Sequence, residues 1–398
     1  MPRLGAVVFL VVLTAAAACA QTTVQGTVTG ANGRPMKMAN VFLIPPGQYK
    51  PVSAVEAGRD GRFVIHIDSA GIWMLQFTGV GCREHRLALF LDRPQTILLD
   101  VRLESYRYLP DFSKAKIIGD FNRWNILKAV PMRKLTDGTY TARVVTKADT
   151  VAYRLNSVRN GDAVEGTQAD RYVSNGTGSY ISIVPARGGS AAITFDPRRL
   201  IRAKGTARVT FGQAGPGVAR FAAVYDELQR YQEEYMIAFE DALRSGIRKE
   251  FNFAWSGPMS SIEQEIRQEN HPAVREELTL SRLSLAMLAK RTDAAVYRSS
   301  VEGISPASRV WSLNPHSMSF ALGHSGLKEV EQDRYVQRVL DENPVDRIKS
   351  AVLLDAIMAA RLSDKREKAD RYYSILVGKF GGSPEAASVR NTYSPSAK

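Results

Sequence analysis

The apolar residues of this chain keep one spacing up to about Gly215 and another beyond it. Upstream they alternate at every second position; downstream they recur at every third and fourth. A period of two belongs to strands with one buried face, and a period near 3.6 to helices with one apolar stripe. The chain must therefore be multidomain, β-rich first and helical afterwards. Its 398 residues are consistent with two to four domains. A hydrophobic fraction of 44% beside 23% charged residues is ordinary globular composition.

From Thr22 to about Leu103 the strands are short and the turn signals regular. Val24, Gly26 and Val28 lead into the turn Gly30-Ala31-Asn32-Gly33. Ala39 to Ile44 reads as a strand stopped by Pro45-Pro46. Arg59 to Arg62 is a turn before the alternating Phe63, Ile65 and Ile67. Gly71 to Phe77, Arg86 to Leu91 and Ile97 to Leu103 complete the set. About seven such strands predict a β-sandwich over residues 22–104. The residues Gly26, Gly33, Pro35, Ala39, Val41, Asp60, Gly61 and Phe63 carry a pattern that resembles the carboxypeptidase-regulatory-like, transthyretin-like sandwich domains of bacterial envelope proteins. That resemblance speaks to fold and not to function.

Residues 111–198 predict a second sandwich. Lys116 to Gly119 leads into Asp120-Phe121-Asn122-Arg123-Trp124, followed by Val130-Pro131-Met132 and Gly138-Thr139-Tyr140. Thr141 to Val145, Val151 to Leu155 and Tyr180 to Val184 read as strands. The order G-x-F-N-x-W, P-M, G-x-Y, Y-R is similar to the family 48 carbohydrate-binding module, the glycogen-binding domain of AMP-activated protein kinase β subunits. The resemblance implies an immunoglobulin-like sandwich with a sugar-binding face. Trp124 would then be the platform on which a glucose ring stacks, and Arg154 and Asn122 would bond sugar hydroxyls. The family's second tryptophan has no counterpart, since the segment here reads Asn160-Gly161-Asp162-Ala163-Val164. Tyr172 and Tyr180 are candidates for a second platform. The structural reading of the same loop has Phe121 in the core, Asn122 capping the turn and Trp124 covering an edge.

Residues 215–390 predict an α-helical bundle. Val218, Phe221, Ala222, Val224, Tyr225, Leu228, Tyr231, Tyr235, Phe239 and Leu243 lie on one stripe of a long helix after Gly215-Pro216-Gly217. Further helices are expected over Ser261 to Asn270, Val274 to Lys290, Leu327 to Leu340, Val345 to Leu362 and Arg366 to Phe380, with Pro306 to Phe320 less regular. The aromatic stripe of the first helix reads as core packing. The acidic pairs Glu233-Glu234 and Glu276-Glu277 read as solvated faces. The run Ala369 to Ala386 resembles the segment that precedes the thioredoxin domain in envelope thiol-disulfide oxidoreductases of Bacteroidetes-like bacteria. The layout as a whole is similar to the accessory half of those proteins, without the redox domain.

The first twenty residues read as an address. One charge at Arg3, the apolar run Leu4 to Leu13 and the small residues Thr14 to Ala20 have the order of a secretory signal peptide. Two kinds of processing fit. Ala18-Cys19-Ala20 is an A-x-A cleavage site, and Ala16-Ala17-Ala18-Cys19 resembles a lipobox, in which Cys19 would be lipidated. The expected location is the periplasm or outer envelope of a Gram-negative bacterium, with membrane attachment only through such a lipid. The net charge of +13 is scattered rather than gathered into a patch with phosphate spacing, so nucleic acid is not an expected partner. Cleavage would leave Cys82 alone, expected as a buried small residue. The five histidines form no H-E-x-x-H spacing, and His316 and His324, eight apart, are more simply packing or surface residues than a metal or catalytic pair. No nucleophile elbow, Walker loop or dinucleotide turn is present. The expectation is a binding protein without cofactor, metal or catalytic residues. It would recognise a glucan or other glycan, or hold an envelope protein partner through the helices.

Overall fold

A computed structural model describes residues 21–393 except 37, 49, 160–162, 168–170, 177, 203–204 and 247–250. The signal segment, Cys19 and Asn160 to Asp162 lie outside the described residues. Two β-sandwiches are followed by helices, as the change of period requires.

The first sandwich contains β1 (Thr22–Thr29), β2 (Ala39–Ile44), β3 (Ser53–Glu56), β4 (Arg62–Ile67), β5 (Gly71–Gly79), β6 (His85–Leu91) and β7 (Thr96–Arg102). In β4 every second side chain is buried, so Phe63, Ile65 and Ile67 face the core while Arg62, Val64 and His66 face water. They meet Val24, Val28, Val41, Leu75, Phe77, Leu87 and Leu99. All six residues of β2 are buried, which alternation does not predict. The reason is that the sheet β3-β2-β5-β6 has both faces covered. One face closes the sandwich. On the other, Ile72 and Ala88 join the core of the helical region, and Asn40, Gln76 and Thr78 meet the second sandwich.

The second sandwich contains β8 (Lys116–Gly119), β9 (Val130–Pro131), β10 (Arg133–Lys134), β11 (Tyr140–Val145), β12 (Thr150–Asn156), β13 (Arg171–Ser174), β14 (Tyr180–Pro185) and β15 (Ser190–Phe195). Its sheets have the orders β13-β14-β12-β8-β9 and β10-β11-β15. Ile117, Tyr140, Val151, Tyr153, Leu155, Ile193 and Phe195 fill the space between them. After β15 the chain returns. β16 (Arg208–Gln213) pairs antiparallel with β7 and extends the first sandwich. The second sandwich is thus an insertion between two neighbouring strands of the first. The domain limits read from the sequence left residues 208–213 unassigned, because the alternation in RVTFGQ marks a strand but not its partner.

The helices are α1 (Pro216–Arg244), α2 (Ser256–Gln268), α3 (Pro272–Leu288), α4 (Ala294–Gly303), α5 (Pro315–His324), α6 (Glu329–Glu342), α7 (Asp346–Leu362), α8 (Arg366–Lys379) and α9 (Pro384–Thr392). Gly381 to Pro384 separates α8 from α9: Ser383 caps α9 and Pro384 sits in its first turn. The irregular stretch before α5 is a 3-10 turn, Arg309–Leu313, which buries Trp311 completely. Helix α1 is the joint of the molecule. Val218 and Ala222 belong to the sandwich core, while Phe221, Val224, Tyr225 and Leu228 belong to the helical core. Farther along, Tyr235 and Phe239 leave the core and cluster with Phe251, Phe253 and Trp255. Among the described residues, no helix is long and apolar enough to cross a membrane.

Two of the sequence expectations are corrected here. Glu277 is not on a solvated face; it is 0% exposed within α3, because that helix packs against α1 on one side and the Arg309–Leu313 turn on another. Tyr180 is not a free platform. It is 0% exposed, with its hydroxyl accepting from the Asn40 amide at 3.0 Å and lying 2.9 Å from the Thr78 hydroxyl. Phenylalanine at 180 would leave Asn40 and Thr78 buried and short of a partner. Tyr180→Phe is expected to cost about 1–2 kcal/mol in thermal unfolding; no measurable change would mean that water reaches this seam.

Candidate functional site

The G-x-F-N-x-W segment forms a tight loop at the end of β8. A side chain at Gly119 would press on the Ala152 carbonyl at 2.3 Å and on the Phe121 ring at 2.5 Å, so only glycine lets β8 end there. Phe121 folds back against the core of the second sandwich. The Asn122 side chain ties the loop: its oxygen accepts from the Gly119 N–H at 3.1 Å. Its nitrogen donates to the carbonyls of Asn125 at 3.3 Å and Lys128 at 2.9 Å. The Asp120 carboxylate accepts from the Ala152 N–H at 3.0 Å and pins the loop to β12.

Within this frame Arg123 and Trp124 both take left-handed backbone angles, with φ of 55° and 58°. Two consecutive non-glycine residues there cost of the order of 1 kcal/mol each, and such strain concentrates at functional loops. Its result is exposure. Trp124 is 38% exposed, and Ile126 and Leu127 beside it are 58% and 92% exposed.

The three residues assigned to a sugar site have separate duties. Trp124 is presented to solvent. Asn122 spends its amide on the loop. Arg154, on β12, turns its guanidinium to the Ala163 carbonyl, toward the seam between the sandwiches. Tyr172 is half-buried and donates its hydroxyl to the Gly166 carbonyl at 3.1 Å. His316 and His324 serve different partners. The first bonds Asp355 at 3.0 Å, which raises its pKa, and the second stacks on Phe320 and faces the Phe320 carbonyl. Cys82 is buried, and burial pushes its thiol up to about 11. Among the described residues no group of three or more His, Cys, Asp and Glu side chains could hold a metal ion.

The seam contains the chemistry that sequence reading missed. Glu165 follows the Leu155–Val164 bridge and reaches across to accept the Gly81 N–H of the first sandwich. Its other oxygen lies 3.5 Å from the Tyr106 hydroxyl. Burial raises the Glu165 carboxyl and also the phenols of Tyr106 and Tyr108. The Arg159 guanidinium lies over the Tyr106 ring at 4.7 Å. Nothing local marks these residues: Tyr106 and Tyr108 fell in the linker between the two predicted domains, and Glu165 in an irregular loop.

No family model matches this chain, and no curated protein does. Three solved structures are similar to it over part of its length. The Bacillus anthracis TIE protein is 11% identical over 49% of this chain and 46% of that one, with a TM-score of 0.19. SusF from Bacteroides thetaiotaomicron is 12% identical over 48% and 51%, with a TM-score of 0.18. A streptococcal ancillary pilin is 10% identical over 50% and 55%, with a TM-score of 0.20. The chain spans about half the length of each.

Proposed function

We propose that this is an exported envelope protein that binds a glycan through the Trp124 loop, as a recognition module without catalytic residues. The observation that carries the reading is the loop itself. A network centred on Asn122 holds Trp124 in a strained backbone state and leaves its ring in solvent beside two exposed aliphatic side chains. An exposed indole offers an apolar plane to the CH face of a sugar ring. The resemblance of the G-x-F-N-x-W segment to the glycogen-binding module makes an α-glucan the first ligand to test. Asn122 supports the loop rather than the sugar, and Arg154 is tied to Ala163, so Trp124 supplies most of the affinity.

A second reading rests on a different observation. The sheet β3-β2-β5-β6 is covered by the second sandwich and by the helices, which makes the first sandwich a hub with two attachments. Such a molecule suits a scaffold holding a protein partner through its helices.

Affinity electrophoresis of the mature protein in gels containing glycogen or starch tests the first reading. Wild type is expected to be retarded, and Trp124→Ala to lose about tenfold or more in affinity. Equal mobility of both proteins, with or without polysaccharide, would remove the α-glucan site and leave the scaffold.

A further inference from the structure

The two sandwiches do not close completely on each other. A cavity of about 210 Å³ remains between the β1–β2 turn, the β5–β6 turn and the loops of the second sandwich. Its walls include Tyr108, Tyr172 and Glu165, with Asn32, Arg34 and Arg199 around them. Glu165 is 6% exposed and has no ion-pairing partner within 4.0 Å among the described residues. Its carboxyl accepts from the Gly81 N–H and from its own N–H, and one oxygen lies 3.5 Å from the Tyr106 hydroxyl, too long for a strong bond. A buried carboxyl group is costly to keep, and with about four lone pairs it can accept more bonds than these contacts supply. Such a group in a cavity marks a place where a ligand completes the bonding.

We propose that this cavity binds a single neutral, hydroxyl-rich ring, the size of one terminal pyranose residue, with Glu165 accepting its hydroxyl hydrogens. The volume lies below the roughly 300–1,000 Å³ of sites that take drug-sized ligands, so one ring fits and a chain does not. The charges choose between ligand classes. Arg34 and Arg199, both exposed, oppose a cation at the mouth; inside, burial favours the neutral form of Glu165, beside Arg154 and Arg159, and disfavours an added charge of either sign. A polyol satisfies both, donating to the carboxyl and accepting from guanidinium and amide groups. The tyrosine rings and Pro35, Met36 and Ile201 supply apolar wall for the CH face. The Tyr172 hydroxyl is held by the Gly166 carbonyl, so that wall is set before a ligand arrives. This site is separate from the Trp124 loop and does not depend on it.

Saturation-transfer NMR and calorimetric titration of the mature protein would test this. The probes are the methyl glycosides of glucose, galactose, mannose and N-acetylglucosamine, with glucosamine and glucuronate as charged counterparts. At least one neutral glycoside is expected to bind saturably, with both charged sugars about tenfold weaker or worse. Glu165→Gln is expected to weaken binding about tenfold. Arg199→Ala, at an exposed position where folding is not at risk, is expected to weaken it severalfold. Trp124→Ala is expected to leave it unchanged. The proposal is overturned if no neutral glycoside binds, if Arg199→Ala and Glu165→Gln both bind as wild type does, or if Trp124→Ala alone abolishes binding.

Discussion

Replacing Gly26 by alanine is expected to destabilise the protein by about 3 kcal/mol, the largest effect of any single methyl group in the first sandwich. Gly26 lies in the middle of β1, opposite Phe63 of β4 and Leu99 of β7. A Cβ there would sit 1.5 Å from the Leu99 carbonyl oxygen and 2.7 Å from its carbon. Both atoms are backbone, so neither can rotate away, and the parallel pairing of β1 with β7 has to open. The damage spreads, because β7 also carries β16 and so forms one root of the inserted second sandwich. Gly33 is the control. It has φ of 73° but open space around it, so Gly33→Ala pays only for the left-handed backbone, about 1–2 kcal/mol. Denaturant unfolding of the two variants measures the difference. Equal losses would show that β1 and β7 separate easily, and the hub reading of the first sandwich would weaken with them.

The second large effect is a gain. Glu277 is 0% exposed, and neither of its carboxylate oxygens has a hydrogen-bond partner among the described residues. It lies on α3 near Tyr225 of α1, whose hydroxyl points to Met74 of β5 at 3.9 Å. Burial pushes its carboxyl well above the usual carboxylate range. The folded chain therefore keeps a proton there that the unfolded chain releases near pH 4. Raised rather than lowered in the fold, this group contributes stability that is fully present below the unfolded value. The contribution is lost as pH rises from there toward the folded value. Glu277→Met is expected to raise stability at pH 7 by about 1–4 kcal/mol and to change it less at pH 4. Thermal unfolding of both proteins from pH 4 to pH 8 would show the curves diverging upward. A destabilised variant at every pH would mean that the carboxyl is bonded in solution, by water or by a ligand, and is kept for that purpose.

The course of the chain was legible wherever the backbone's own period decides. Phe63, Ile65 and Ile67 had to face one way, and Val218, Phe221, Ala222 and Tyr225 another, because geometry alone sets those repeats. The loop at Trp124 was legible for a related reason. Gly119, Phe121 and Asn122 are bonded or packed within a few residues of one another, so their pattern travels with the sequence. The same locality limits what the pattern says of Asn122: a motif names the residues of a loop without saying which of them face inward.

What escaped was every choice of distant partner. β14 alternates as predicted, yet alternation does not say that Tyr180 would seek Asn40, 140 residues earlier. Glu276 and Glu277 are neighbours in sequence, but one is half-buried and accepts from the Ser308 hydroxyl, while the other is fully buried and has no such bond among the described residues. β16 pairs across an inserted domain. Glu165 meets Gly81 only because two sandwiches close on the same seam. Local sequence determined the strands, the helices, the turns and the loop that carries Trp124, since those follow from steric rules acting over a few residues. Tertiary structure alone decided which faces are covered, which carboxyls are buried and where a cavity remains, since burial is a property of the partner as much as of the residue.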